Sequence, residues 1–414
     1  MDLNATKRVF NRLGGSQGEG KQQKVCFLWQ AGNCTRFPCP FLHTESPHPS
    51  SAIGSTKRSH GPSDASGFPA SNRRKHSFNS TRDRNHGSRS IAAKTEKACK
   101  FWVQGNCSLG ERCRFLHSWS SKDCFSLLTR LEGHQKVVTG IALPSGSDKL
   151  YTGSKDETLR IWDCQSGQCV HVDNLGGEVG CMISEGSWVF AGLPNLVKVW
   201  NTETHSVLSL SGPVGQVYSL AVANDLIFAG SHDGSILAWK FNSVANSFEP
   251  AAALPGHTHA VVSLVVGGSR LYSGSVDQSI KVWNLENLQC IQTLTDHTSV
   301  VMCVICWDQF LLSCSLDGTI KVWVTAGSGN LEVTYTHSEE HGLLTLFGMN
   351  DSEARPVLMC SSNDNCVRVY DLPSFSERGR LFAKKEVRAI QMGPSGLFFT
   401  GDGTGELCVW KWIQ

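Results

Sequence analysis

The chain has 414 residues, 40% hydrophobic and 18% charged, which leaves room for two or three domains. Its formal net charge of +2 hides an asymmetry, because residues 1–124 carry 20 Lys+Arg against 8 Asp+Glu and the remainder carries 18 against 28. The basic front part indicates polyanion binding. No long apolar run and no signal-peptide core are found, so we expect neither a membrane span nor secretion.

Residues 1–25 are polar and Gly-rich and are predicted to be disordered. Two clusters of metal-ligand side chains follow along the chain. The segment 26–43 has the spacing C-x7-C-x4-C-x3-H, and the segment 99–117 has the spacing C-x7-C-x5-C-x3-H. The eight candidate ligands are Cys26, Cys34, Cys39 and His43, then Cys99, Cys107, Cys113 and His117.

Three thiolates and one imidazole make a closed tetrahedral zinc site, with no position left open for a substrate. Segments this short cannot bury enough apolar surface to fold unaided, so metal binding must supply the missing free energy. The predicted cofactors are therefore two structural zinc ions, and no catalytic residue is predicted.

Both clusters have Gly-Asn before the second Cys and end in Phe-Leu-His. They resemble the CCCH zinc-finger family, whose members mostly bind single-stranded RNA. The resemblance implies that Phe41 and Phe115 stack on bases, and neighbouring cations and aromatics fit the same role. The predicted RNA-binding residues are Phe27, Arg36, Phe37, Phe41, Lys100, Phe101, Arg112, Arg114 and Phe115. Alternatively, the aromatics other than Phe41 and Phe115 only cover the metal.

Residues 44–98 are rich in Ser, His, Asn, Pro and Arg, with 10 Lys+Arg against 4 Asp+Glu, and are predicted to form a disordered basic linker. Lys57-Arg58 with Arg73-Arg74-Lys75 is either a nuclear localisation signal or part of a solvated tether. Eleven of the 17 cysteines are not finger ligands and fall mainly in predicted strands. Their abundance favours a reducing compartment, either the nucleus or the cytoplasm.

One unit recurs from residue 125 to residue 414, in which a strand precedes a tight turn and a second strand ends at an aromatic residue. The closing aromatics are Trp162, Trp200, Trp239, Trp283, Trp323, Tyr370 and Trp410. A period near 40 residues predicts propeller blades of four strands each. Residues 125–131 precede the first unit and are predicted to supply the outer strand of the last blade, which closes the ring.

These units resemble the WD40 family, through Trp162-Asp163 and through Gly133-His134 and Gly256-His257. The resemblance implies an all-β, seven-bladed propeller over 125–414, with the second finger on the face opposite the Gly-His loops. It also implies three networks of His, Ser or Thr, Asp and Trp, which we interpret as rigidifying and not catalytic. They are His134–Thr152–Asp156–Trp162, His257–Ser273–Asp277–Trp283 and His297–Ser313–Asp317–Trp323.

Fingers and repeats together resemble the plant CCCH zinc-finger and WD40-repeat protein family over nearly the whole chain. The resemblance implies a non-enzymatic scaffold, expected to be monomeric, whose fingers bind single-stranded RNA and whose acidic propeller binds a protein partner. A DNA-binding transcription regulator is a lower-ranked alternative, since such fingers offer no long recognition helix. A ubiquitin-ligase substrate receptor is another, although Cys164 and Gln165 follow Trp162-Asp163 where that class carries Arg.

Overall fold

The structure is a computed structural model and describes residues 95–413 except 123, 224, 308 and 352. The first finger, the N-terminal tail and linker residues 44–94, with the predictions made for them, lie outside these residues. The last four residues of the predicted disordered linker, Thr95–Ala98, instead form a strand. In the described part, the second finger contains helix α1 (Lys100–Val103) and a 3-10 turn (Gly110–Arg112), and a second 3-10 turn (Pro394–Gly396) lies in the propeller. No helix in these residues is long and apolar enough to cross a bilayer.

The strands are numbered in chain order. Those up to the third repeat are β1 (Thr95–Ala98), β2 (Phe115–Leu116), β3 (Phe125–Leu131), β4 (Val138–Ala142), β5 (Lys149–Ser154), β6 (Thr158–Asp163), β7 (Cys169–Asn174), β8 (Cys181–Glu185), β9 (Trp188–Asn201), β10 (Val207–Ala223), β11 (Leu226–Ser231), β12 (Ile236–Asn242) and β13 (Ser247–Leu254). The rest are β14 (Val261–Gly267), β15 (Arg270–Ser275), β16 (Ile280–Asn284), β17 (Cys290–Leu294), β18 (Val301–Trp307), β19 (Phe310–Ser315), β20 (Thr319–Thr325), β21 (Leu331–Ser338), β22 (Leu343–Asn350), β23 (Pro356–Ser362), β24 (Cys366–Asp371), β25 (Ser376–Phe382), β26 (Val387–Met392), β27 (Leu397–Asp402) and β28 (Leu407–Trp412).

Strands β3 to β28 form an all-β propeller of the WD40 type. Its described residues make five four-stranded sheets and one six-stranded sheet, with antiparallel neighbours throughout. The four-stranded sheets are β4–β7, β14–β17, β18–β21, β22–β25 and β26-β27-β28-β3. The first strands of the repeats contact one another in a closed ring, in the order β4, β8, β10, β14, β18, β22, β26 and back to β4.

The predicted count of seven separate blades is wrong, because the described strands give six sheets. The sixth sheet has the order β13-β12-β11-β10-β9-β8 and contains two sequence repeats. Its long strands turn internally, β9 at Asn195 (φ 64°) and β10 at Gly212 (φ 129°) and Gly215 (φ 77°). Gln216 pairs with Pro194 across these turns, so the two repeats hydrogen-bond into one sheet instead of separating.

The ring closes through strand β3, which comes from the chain segment before the first repeat. It pairs antiparallel with β28, from Leu407 opposite Leu131 to Trp412 opposite Phe125. The buried Phe125 ring makes edge contacts with Phe398 and Trp412, at 6.0 and 4.8 Å between centroids. The first and last parts of the propeller thereby share one sheet and one core, which leaves no unpaired outer edge at β28.

Neighbouring sheets approach closely because a glycine on the second strand of one sheet faces a valine on the first strand of the next sheet. A Cβ added at Gly274 would lie 2.9 Å from Val301 Cγ1, and one added at Gly401 would lie 2.7 Å from Val138. Only a residue without a side chain fits such an approach. Trp283 and Trp323, both nearly inaccessible to solvent, pack against apolar residues of the neighbouring sheet.

The three predicted polar networks are present in the structure. In the first, Trp162 Nε1 donates to the Thr152 hydroxyl at 2.8 Å, His134 Nε2 lies 2.8 Å from the same hydroxyl, and His134 Nδ1 lies 3.0 Å from Asp156. The other two repeat this geometry, with His–Asp separations of 2.7 and 2.9 Å. Each network joins a loop, a turn and a strand of one sheet, as expected of a rigidifying device.

Acid is expected to weaken the propeller in two steps. Burial lowers the pKa of His134, His257 and His297 below the usual value, so protons bind the unfolded chain first and stability falls as the pH drops below about 6.5. Burial alone would raise the pKa of Asp277, but hydrogen bonds from Ser279 and His257 lower it to about 2, so a second loss follows between about pH 4 and pH 2. Urea unfolding with a zinc chelator present throughout tests both steps, and a stability that stays flat from pH 8 to pH 5 would contradict the first.

The sixth repeat uses an ionic cluster in place of such a network. The histidine of this repeat, His341, has a side chain that is 43% exposed and lies 3.8 Å from Asp364. Glu339 occupies the interior instead and accepts a hydrogen bond from the Tyr370 hydroxyl. The buried Arg368 guanidinium lies 3.1 Å from Glu339 and 2.7 Å from Asp364. Two carboxylates and a guanidinium therefore form the polar centre of this repeat.

Candidate metal centre and nucleic-acid interface

The four predicted ligands of the second finger converge on one point. Cys99 directly precedes α1, Cys113 follows the 3-10 turn, and His117 follows β2, which pairs parallel with β1. Gly105 (φ 77°) lies in the turn between α1 and Cys107, a backbone conformation that favours glycine. The sulfur atoms of the three cysteines and a ring nitrogen of His117 all lie within 4.8 Å of one another.

The chemistry of this cluster fits zinc. Burial opposes ionisation of Cys99, but hydrogen bonds from the Trp102 backbone and from the neighbouring His117 and thiols lower its pKa to about 7. The Nε2 atom of His117 is buried without a hydrogen-bond partner among the described residues, as expected of an atom that would face a metal. With three thiolates and one imidazole, the second finger is a structural zinc site that leaves no position for substrate.

The predicted RNA-binding residues of this finger are largely accessible. The Phe101 side chain is 63% exposed, and Lys100, Arg112 and Arg114 are exposed as well. Phe115 is half-buried, and the Arg114 guanidinium lies 5.6 Å from its ring centroid. Phe101 therefore offers the free aromatic face of this finger, while Phe27, Arg36, Phe37 and Phe41 lie outside the described residues.

The sequence did not indicate how the second finger attaches to the propeller. Trp102 stacks on the His117 ring at 5.7 Å and contacts Trp119 at 4.9 Å. Trp119 in turn covers the guanidinium of Arg130 on strand β3, at 3.9 Å from its ring centroid. Trp102 is thus occupied by the attachment, and a cation–π contact links the finger to the closing strand.

Backbone pairing reinforces this attachment. The Phe382 N–H donates to the Trp119 carbonyl at 2.9 Å, and the N–H of Ser121 donates to the Arg380 carbonyl at 2.9 Å. These contacts extend the outer edge of β25 by a short antiparallel segment, which includes a bridge between Ser120 and Leu381.

The predicted position of the finger, on the face opposite the Gly-His loops, is wrong. The segment before Phe125 pairs with β25, with Ser121 opposite Arg380 and Trp119 opposite Phe382. Phe382 is the last residue of β25, next to the loop before β26. Trp119 covers Arg130, which lies next to the end of β3 that leads into Gly133-His134. Residues 119–121 run in the opposite direction to β3, which follows them. The finger therefore lies on the same side of the rim as the Gly-His loops.

The fold and the metal site together define a WD40-type propeller with CCCH zinc fingers in front of it. Family models agree with this class: "Zinc finger domain" at residues 99–117, "RNA-binding, Nab2-type zinc finger" at 26–43, and "WD domain, G-beta repeat" at 125–163, 248–284 and 288–324.

Full-length relatives give the family. Zinc finger CCCH domain-containing protein 48 of Arabidopsis thaliana is 66% identical over all of this chain and 97% of the relative. Protein 63 of the same species is 62% identical over all of this chain and 98% of the relative, and protein 17 of Oryza sativa subsp. japonica is 57% identical over 98% and 96%. The chain belongs to this family of plant CCCH zinc-finger proteins with WD40 repeats.

Proposed function

We propose that this protein is a non-enzymatic RNA-binding scaffold, in which CCCH fingers bind single-stranded RNA and the propeller binds a protein partner. The observation that carries the proposal is the exposed Phe101 ring on a zinc-stabilised finger whose Lys100, Arg112 and Arg114 are also exposed. Aromatic faces stack on unpaired bases, and the cations neutralise the phosphates. The RNA-binding description of the family model at 26–43 supports the same role for the first finger.

The shape of the second finger favours single strands over duplex DNA. Its helix α1 is four residues long, whereas major-groove readers insert a long helix or a two-stranded ribbon. The surplus of acidic residues behind the fingers repels phosphates and favours basic protein partners. The abundant free cysteines suit a reducing compartment, so we place the protein in the nucleus or the cytoplasm.

Replacing Phe101 by Ala is expected to weaken binding of single-stranded RNA by about 5- to 150-fold, since stacking on one base contributes about 1–3 kcal/mol. Fluorescence anisotropy with an unstructured RNA and the full-length protein measures this loss. Leu109→Ala is the matched control, because Leu109 is a 52% exposed apolar residue of the same finger without an aromatic face. Equal affinities for the Phe101→Ala and Leu109→Ala variants, or tighter binding of duplex DNA, would refute the proposal.

A further inference from the structure

The acidic charge behind the fingers is unevenly distributed. Residues 125–342 carry 10 Lys+Arg against 20 Asp+Glu, whereas residues 343–414 carry 8 of each. The second finger attaches to the latter part, through β25 and through β3 paired with β28. The repulsion that phosphates meet elsewhere on the propeller is therefore weakest where the finger sits.

A chain of contacts leads from the finger to a loop with exposed cations. Trp119 covers Arg130, and Arg130 Nε lies 3.3 Å from Glu406 Oε1. Lys384 Nζ donates to the same oxygen at 3.0 Å. Lys384 follows Phe382 by two residues, so the loop begins where the finger is attached.

From there the loop crosses the face of the propeller. It connects the outer strand β25 to the inner strand β26. The Gly403 N–H donates to the Glu386 carbonyl at 2.9 Å, so the loop lies beside the turn between β27 and β28. Lys384, Lys385 and Arg388 are all exposed. In the described part of the chain Lys385 has no ion pair, and the nearest carboxylate oxygen to Arg388 is 3.9 Å away, on Glu386.

We propose that Lys384 and Lys385 of this loop, with Arg388 at the start of β26 (together called the basic loop), bind phosphates of the RNA strand as it leaves the second finger. The inference rests on the proposed function and extends it from the finger to the propeller. Because the finger is held by Trp119 and by backbone pairing, its base-stacking face and the basic loop keep a fixed separation. An RNA that is long enough then contacts both, with the loop adding affinity that does not depend on base sequence.

The test compares two lengths of oligouridine, about 6 and about 20 nucleotides, on the full-length chain. All variants carry Cys34→Ser, which removes a ligand of the first finger and leaves the second as the entry point. Lys385→Glu/Arg388→Glu is expected to lower affinity for the longer RNA about tenfold and to reduce its salt slope by about 1.4, with the shorter RNA unchanged. The matched charge control is Lys240→Glu/Lys321→Glu, on β12 and β20.

An equal loss of affinity for both RNA lengths would overturn the inference, because it would show that the added negative charge repels RNA without any direct contact at the basic loop. A loss no larger than that of the control pair would overturn it too. Adding Cys107→Ser separates this failure from failure of the proposed function: if that change abolishes binding of both RNAs while the basic-loop variant has no effect, the finger binds RNA and the loop does not. If neither change matters, both proposals fail.

Discussion

A Cys107→Ser variant is expected to bind one zinc ion fewer per chain than the wild type and to lose the folded structure of residues 99–117. The hydroxyl of serine is a poor replacement for a thiolate, and zinc binding supplies about 10–16 kcal/mol to comparable peptides. Residues 99–117 contain only α1, β2 and a 3-10 turn, so little else holds them together. Metal analysis gives the zinc content, and amide hydrogen exchange shows whether the segment has opened.

The matched control is Cys164→Ser, because Cys164 is an exposed thiol outside the cluster. It should keep the wild-type zinc content and exchange pattern. Trp102, which stacks on His117, loses that partner when the finger opens, so exchange should also rise at the Ser121 and Phe382 amides, which pair residues 119–121 with β25. Unchanged zinc content in the Cys107→Ser variant would show that these four residues do not hold the metal.

Much of the architecture follows from local patterns. The propeller is predictable because each repeat carries the same short-range signals, a turn and a closing aromatic at a period near 40 residues. The merging of two repeats into one sheet is not predictable, because it depends on Gln216 reaching Pro194 across two turns. Such a pairing is a property of tertiary register, and no composition signal marks it.

At the metal centre, too, local sequence patterns predict the ligands but not the tertiary contacts. Ligand spacing marks Cys99 to His117, because coordination chemistry restricts both residue type and separation. Attachment of the finger depends on the direction taken by residues 118–122, which spacing alone leaves undetermined. An aromatic residue in so short a connection has few places to be buried other than the neighbouring domain, and Trp119 indeed packs against Arg130, but the sequence does not show which surface it covers.

Arg368→Met is expected to lower the free energy of unfolding of the propeller by about 3–5 kcal/mol, the cost of breaking a buried ionic cluster by removing one partner. Arg368 is 6% exposed, and its guanidinium meets Glu339 and Asp364 while Nη1 donates to the Ser362 hydroxyl at 2.5 Å. Methionine fills a similar volume without charge. The carboxylates of Glu339 and Asp364 would then lie beside β24 without the Arg368 guanidinium between them.

The pH dependence separates this electrostatic cause from lost packing. Burial would raise the pKa of Asp364, but hydrogen bonds from Arg368 and Ser362 lower it to about 2 in the wild type. Its contribution to stability is therefore present above about pH 4 and lost as the pH falls toward 2. In the variant Asp364 loses its cationic partner and protonates more readily, so the difference in stability from the wild type should shrink as the pH falls from 7 to about 4.

Two further variants complete the experiment. Arg388→Met is the matched control, because Arg388 is exposed and 3.9 Å from Glu386, and it should change stability by less than about 1 kcal/mol. Adding Glu339→Gln to Arg368→Met removes one uncompensated charge and should recover part of the loss, as measured by urea unfolding at pH 7. A loss that is independent of pH and is not relieved by Glu339→Gln would assign the effect to packing, and would leave the sixth repeat held together by its apolar contacts alone.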